Sequence, residues 1–255
     1  MNIIVLEDYQ AMSEQAAKLV EEQIKLNSHS VLGLSTGSTP LGLYECLIKG
    51  FKGREISYQH LTTFNLDEYL GLEKNNPKSY HTFINEQLFQ HIDIEYENTH
   101  IPNGMAPSIE KECVRYEYLL DSTGSIDLQI LGIGTNGHIG FNEPGTSEFS
   151  KTHVVKLDET TRQNNARFFD SKEDIPNHAI TMGIASILKS KQILLLASGE
   201  KKASAVKQLL SKKIDARFPA SWLWQHENVT LLVDQDAHKL IGNSNGFEGY
   251  STQMK

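Results

Sequence analysis

Short apolar runs alternate with amphipathic segments along most of the 255 residues, and this order predicts an α/β fold with a mostly parallel sheet and helices on both faces. The apolar runs are bounded by glycines or polar turn formers, as buried strands are, and the segments between them place apolar residues at helical spacing. No repeat, low-complexity tract or linker breaks the rhythm, so residues 1–255 are read as one domain.

In chain order, residues 3–6 are the first strand candidate, and the helix after them carries Met12, Ala16, Leu19 and Val20 on one face. Residues 30–34 are the second, ending in STGSTP, after which Leu41, Tyr44, Leu47 and Ile48 resume helical spacing. The third run, 61–66, ends in Asp67, Glu68 and Tyr69; its helix, 80–89, waits until a loop with Asn75, Asn76 and Pro77 has passed. Residues 99–101 read as a strand and 108–120 as a helix with Ile109, Cys113, Tyr116 and Leu120 on one face. Residues 128–131 are a buried strand running into a glycine loop. From residue 145 to about 182 the chain is polar and rich in turn formers, with short apolar pieces only at Val154, Val155, Phe168 and Phe169. A long irregular insert of this kind predicts a lid or binding loop. Order returns with a helix at 184–188, a strand at 192–197, a helix at 201–210 and a strand at 229–233, and the polar tail, 242–255, is expected to fray.

A net charge of -8 supplies no field toward nucleic acid or an anionic membrane, so an anionic ligand needs a local cluster of donors. Cys46 and Cys113 are the only cysteines and sit among helix-forming neighbours, which argues against a disulfide framework or a thiolate metal site and suits a reducing cytoplasm. No basic region followed by an apolar leader opens the sequence, and no apolar run approaches the roughly 20 residues of a membrane span.

In an α/β sheet of this order ligands bind at the carboxyl ends of the strands, and four strand ends carry candidate chemistry. The second ends in Ser35, Thr36, Gly37, Ser38, Thr39 and Pro40. Small hydroxyl residues and a glycine at a helix N-terminus favour a phosphate; one hydroxyl would be enough for a cap, and the G-K-[ST] ending of a Walker loop is absent. The third ends at Asp67, which is a general base, a metal ligand or the cap of the next turn. The strand at 128–131 enters Gly132, Gly134 and Gly137, the spacing of a dinucleotide fingerprint, but Asn142, Pro144 and Gly145 break the helix that such a site requires. The same loop holds His138 with Glu143 five positions on, and a carboxylate accepting from one ring nitrogen would fix the tautomer and leave the other nitrogen for proton transfer. Neither HExxH nor a second histidine at ligand spacing supports a metal there. Lys202, just past the strand at 192–197, and Arg167, in the insert, are each either a solvated charge or an anion clamp.

Taken together, residues 36–40 (TGSTP), 63–69 (TFNLDEY), 134–144 (GTNGHIGFNEP) and 167–170 (RFFD) resemble the glucosamine-6-phosphate deaminase family, over a stretch from near Met1 to about Val233. The F-N-E-P ending discriminates more than the glycines. The resemblance implies a Rossmann-like sheet, conversion of glucosamine 6-phosphate and water to fructose 6-phosphate and ammonia, and no redox cofactor. On it Asp67, ionised at an ordinary carboxylate pKa of about 4, would move a proton from C2 to C1. His138 would shuttle the ring-opening proton, oriented by Glu143. Thr36, Gly37, Ser38, Thr39 and Gly137 would cradle the sugar phosphate, with Arg167 and Lys202 as clamps.

Two departures from the family pattern bear on this. Asn136 stands where many members have aspartate, so it can orient His138 but cannot take a proton at neutral pH. Where allosteric hexameric members carry basic effector-binding residues, this chain has His153 and Val155. A valine side chain cannot bind phosphate, so a monomer with little activation by N-acetylglucosamine 6-phosphate is expected. The rival enzyme is 6-phosphogluconolactonase, which typically lacks the F-N-E-P continuation. A sugar-phosphate-sensing regulator domain is the rival from another class; a first strand at Ile3 is expected to leave no room for a DNA-binding extension.

Overall fold

The computed structural model describes residues 1–54, 56–165 and 175–241. The chain runs β1 (Asn2–Leu6), α1 (Tyr9–Leu26), β2 (Val31–Leu34), α2 (Leu41–Lys52), β3 (Thr62–Asn65), β4 (Asp67–Tyr69), α3 (Tyr80–Gln87), β5 (Thr99–His100), α4 (Ile109–Thr123) and β6 (Leu128–Gly132). It continues through β7 (His153–Lys156), α5 (Glu159–Asn165), β8 (His178–Thr181), α6 (Ile184–Leu188), β9 (Gln192–Ala197), α7 (Ala203–Leu210), β10 (Val229–Asp234) and α8 (Gln235–His238).

Seven strands pair in parallel in the order β1-β10-β9-β6-β2-β3-β5. Strand alternation divides their side chains between two cores. Ile193, Leu195 and Ala197 of β9 face one core with Val229, Leu231 and Val233 of β10, packed on Tyr116 of α4 and Val206 and Leu209 of α7. Leu194 and Leu196 face the other with Leu232, against Met12, Ala16 and Val20 of α1 and Leu43, Tyr44 and Leu47 of α2. Fully burying one such aliphatic side chain contributes about 1.5–3 kcal/mol, so both faces hold the sheet. The chain builds outward from β2 through β3 to β5, then returns by α4 to β6 on the other side of β2. That reversal makes the ends of β2 and β6 the switch point where a crevice opens.

Two expectations are corrected here. Asp67, Glu68 and Tyr69 form a strand, β4, in a second sheet of order β4-β8-β7 whose pairings are antiparallel. Leu66 joins the two sheets: its N–H donates to Leu34 O in the large sheet (3.0 Å), and its carbonyl accepts from Met182 N (2.6 Å). The stretch from 145 to 182, expected to be irregular, contains β7, α5 and β8. The small sheet has a core of its own in Tyr69, Phe141, Leu157 and Ala179, with Tyr80 and Val155 packed on it. Phe168 and Phe169, and the tail 242–255, lie outside the described residues. Among the described residues no helix is long and apolar enough to cross a membrane.

Candidate active site

A cleft of about 800 Å³ lies at the carboxyl ends of four neighbouring strands, β9, β6, β2 and β3. Thr36, Gly37, Ser38 and Thr39 line it after β2, Asp67 after β3, Gly134 and His138 after β6, and Lys202 after β9. Asn136 and Glu143 stand behind His138. Gly137 lies outside the cleft lining, and its positive φ of 85° and a Cβ position only 2.2 Å from Phe218 mark it as a turn packed on that ring. Arg167 lies outside the described residues.

The turn after β2 is open at the helix start. Pro40 is the N-cap of α2, and no side chain caps the helix, so none of the four neighbouring hydroxyls is spent on that role. Tyr9 Oη accepts from Gly42 N (2.7 Å) and donates toward Ser38 O (3.1 Å), which pins the turn from α1. Across the cleft Lys202 Nζ donates to Ile133 O (2.7 Å), and Asp234 shapes its loop by accepting from Ser198 Oγ (2.5 Å) and Gly199 N (3.0 Å). Hydroxyls, helix-end amides and an ammonium therefore face one another across the cleft, an arrangement suited to a phosphate.

Asp67 is buried, and burial, with the charge of neighbouring Glu68, raises its carboxyl well above the usual carboxylate range. This corrects the expectation of an ordinary pKa. Its Oδ1 has no hydrogen-bond partner among the described residues. Glu68, which alternation turns the other way, accepts from Tyr69 N (2.8 Å), Tyr80 N (3.0 Å) and His81 N (2.9 Å) and so ties β4 to the start of α3.

Glu143 was expected to orient His138 directly; the structure places Asn136 between them. Asn136 Oδ1 lies 2.7 Å from His138 Nδ1 and accepts from His138 N at 3.2 Å, while Asn136 Nδ2 donates to Glu143 Oε2 at 3.0 Å. The direct His138 Nδ1 to Glu143 Oε2 separation is 3.7 Å. A carboxylate on one side and a backbone N–H on the other allow only one orientation of the amide. Asn136 therefore presents its oxygen to Nδ1, which carries the proton, and Nε2 keeps a lone pair. Burial, aided by the charge of Lys202, lowers His138 to about 4, so the ring is neutral at physiological pH.

Sequence reasoning missed Tyr80 and Thr161, both of which line the cleft. Tyr80 stacks on Phe141 (centroids 5.8 Å, interplanar angle 11°), and Thr161 Oγ1 donates to Glu143 Oε1 at 2.5 Å. No local pattern distinguishes either residue from an ordinary helix residue. Among the described residues no group of three or more His, Cys, Asp or Glu is arranged to hold a metal ion.

A crevice at the switch point of a parallel sheet, holding a neutral histidine, a buried carboxylate and an open turn at a helix start, marks the chain as an α/β enzyme. The chain belongs to the family described as glucosamine-6-phosphate isomerases/6-phosphogluconolactonase, whose sequence profile matches residues 7–232. It is 53% identical over 237 residues to the glucosamine-6-phosphate deaminase of Oceanobacillus iheyensis, covering 93% of this chain and 95% of that one. It is 52% identical over 240 residues to that of Bacillus pumilus, covering 94% and 100%. A solved structure of a monomeric glucosamine-6-phosphate deaminase superposes with a TM-score of 0.93 at 51% identity, covering 94% of this chain and all of the other. The 6-phosphogluconolactonase of Thermotoga maritima, 22% identical with a TM-score of 0.72 and covering 91% and 98%, shares the fold.

Proposed function

We propose that this chain converts glucosamine 6-phosphate and water to fructose 6-phosphate and ammonia. The observation that carries the reading is Asp67: a buried carboxylate with one oxygen unpartnered among the described residues, on the wall of the same cleft as His138. Isomerisation needs such a base to work between two carbons, sheltered from water. Identity of 51–53% to deaminases, against 22% to the lactonase above, supports the same choice.

On this reading Thr36, Gly37, Ser38, Thr39 and Lys202 hold the phosphate, and Arg167 adds a clamp. His138 Nε2 takes the proton of the anomeric hydroxyl and delivers it to the ring oxygen, opening the ring to the aldehyde. Asp67 then removes the C2 proton as the carbonyl oxygen is protonated, leaving an enolamine. Returning that proton to C1 gives the C2 imine, and water adding at C2 expels ammonia. Asn136 and Glu143 keep His138 in the tautomer that accepts. A positioned base of this kind is typically worth about 10²–10⁴ in rate. Residues 145–182 act as the lid on this reading, supported by Thr161 in the cleft wall.

The protein acts as a monomer in the cytoplasm. The monomeric neighbour supports the assembly, as does Val155, which packs on the core of the small sheet where an effector-binding cation would be needed. The free thiols of Cys46 and Cys113 suit the compartment. The test is to assay ammonia release from glucosamine 6-phosphate beside hydrolysis of 6-phosphogluconolactone. Ammonia release alone is expected; lactone hydrolysis alone would replace the reading.

A further inference from the structure

We propose that Thr161 is a positioning residue for His138, acting through Glu143 and Asn136. The proposal rests on the proton-shuttle reading of His138 given above. Three consecutive hydrogen bonds make the connection: Thr161 Oγ1 to Glu143 Oε1 at 2.5 Å, Asn136 Nδ2 to Glu143 Oε2 at 3.0 Å, and His138 Nδ1 to Asn136 Oδ1 at 2.7 Å.

Each oxygen of Glu143 takes one side-chain donor, so the carboxylate acts as an acceptor on both sides. That polarity sets the amide of Asn136, and the amide sets the tautomer of His138. A neutral Glu143 could donate to a flipped amide. Asn136 would then offer N–H to Nδ1, and the proton would move to Nε2, which would stop the ring from accepting. The site therefore depends on keeping Glu143 ionised against its burial, which raises its pKa, while the bonds from Thr161 and Asn136 lower it. Among the described residues the titratable and charged groups facing Glu143 are His138 and Asp158. The charge of Asp158 adds to the upward push while its backbone N–H works against it.

Thr161 is also the link between the two parts of the structure. His138, Asn136 and Glu143 belong to the loop after β6 of the large sheet. Thr161 is on α5, between β7 and β8 of the small sheet, the sheet that carries Asp67 on β4. One hydroxyl thus makes the histidine's tautomer depend on the element that also places the base.

The experiment compares Thr161→Val, which keeps shape and removes the donor, with Thr161→Ser, which restores it. Losing a hydrogen bond to a charged group is expected to raise the Glu143 pKa, read by carbon NMR, by about one to two units. The pH at which the His138 ring changes tautomer, read by ring-nitrogen NMR, should move up by the same amount with KM for ammonia release little changed, and Thr161→Ser should return both the Glu143 titration and the tautomer change toward wild type. Unchanged Glu143 titration and an unchanged His138 tautomer in a folded Thr161→Val would overturn the proposal. Should that variant not fold, the wild-type side-chain amide of Asn136 answers the question. Its resonance must move as Glu143 titrates, and an amide indifferent to Glu143 would overturn the linkage. The carboxyl titration needs no turnover, so a wild-type protein that releases no ammonia would sink the functional reading while leaving this measurement intact.

Discussion

Asp67 and Glu68 are adjacent buried carboxylates on one short strand, and only Glu68 is satisfied: three backbone N–H groups converge on it, whereas Asp67 Oδ1 has no partner among the described residues. An unpartnered buried carboxylate weakens the fold that holds it. Because the folded-state pKa of Asp67 is raised, its ionised form costs stability at neutral pH, and the cost vanishes as pH falls below the ordinary carboxylate value of 3.8. Asp67→Asn should therefore melt higher than wild type at pH 7, by about 2–4 °C for each kcal/mol relieved, with the gap closing in acid. A calorimetric scan showing equal or lower Tm at pH 7 would contradict this.

On the proposed reading Lys202 acts on two groups, the sugar phosphate and His138. Removing its charge with Lys202→Ala should raise the KM for the sugar phosphate about 10–100-fold, the value of a charge-assisted hydrogen bond, with a smaller effect on kcat. It should also raise the pKa of His138 from about 4, although burial, the larger cause, will keep it below the ordinary 6.5. Because that folded value is depressed, the ring's contribution to stability is complete above 6.5 and is lost as pH falls toward about 4. Ring-nitrogen NMR of the variant reads the shift, and an unmoved His138 would place Lys202 outside its electrostatic reach.

Asn136 offers a test of the relay. Asn136→Asp would set a second carboxylate against Glu143, 3.0 Å from the amide nitrogen it replaces, and 2.7 Å from His138 Nδ1. Like charges at that distance share a proton, and a carboxylate on Nδ1 favours the imidazolium. The pKa of His138, read by ring-nitrogen NMR, should rise. A histidine still titrating near about 4 would mean that Asn136 does not govern it.

Gly134 keeps His138 in place by absence of a side chain. A Cβ there would fall 2.3 Å from Cε1 and Nδ1 of the ring, which must swing away. The ring must give up its bond to Asn136 to do so, and the cost to stability should be about 1–3 kcal/mol, while a displacement of this order lowers kcat about 10²-fold. Equal losses in Tm and rate for Gly134→Ala would instead point to a collapsed loop.

The large sheet was legible because burial on both faces writes itself as continuous apolar runs; the strand at 192–197 and the helix at 184–188 have the bounds that the pattern predicts. The small sheet was not. Its strands are three or four residues long, and those of β7 alternate between half-buried and exposed. So HVVK and HAIT look like the polar stretch around them until β4 is paired alongside. The strand ends of the cleft were legible for a related reason, since glycines and small hydroxyls after apolar runs mark where strands stop. What side chains do once there was less so: the bridge from His138 through Asn136 to Glu143 and Thr161 is a matter of rotamers and of contact across 18 residues. The raised pKa of Asp67 depends on a burial that β4 creates only when it leaves the large sheet.

The most direct measurement of the central claim is ammonia release from glucosamine 6-phosphate by wild type and Asp67→Asn, with sugar-phosphate binding followed by calorimetry on both. Wild type should turn over, and Asp67→Asn should lose about 10²–10⁴ in kcat while binding within a few-fold of wild type. Turnover by Asp67→Asn within a few-fold of wild type would show that the C2 proton is taken by another group.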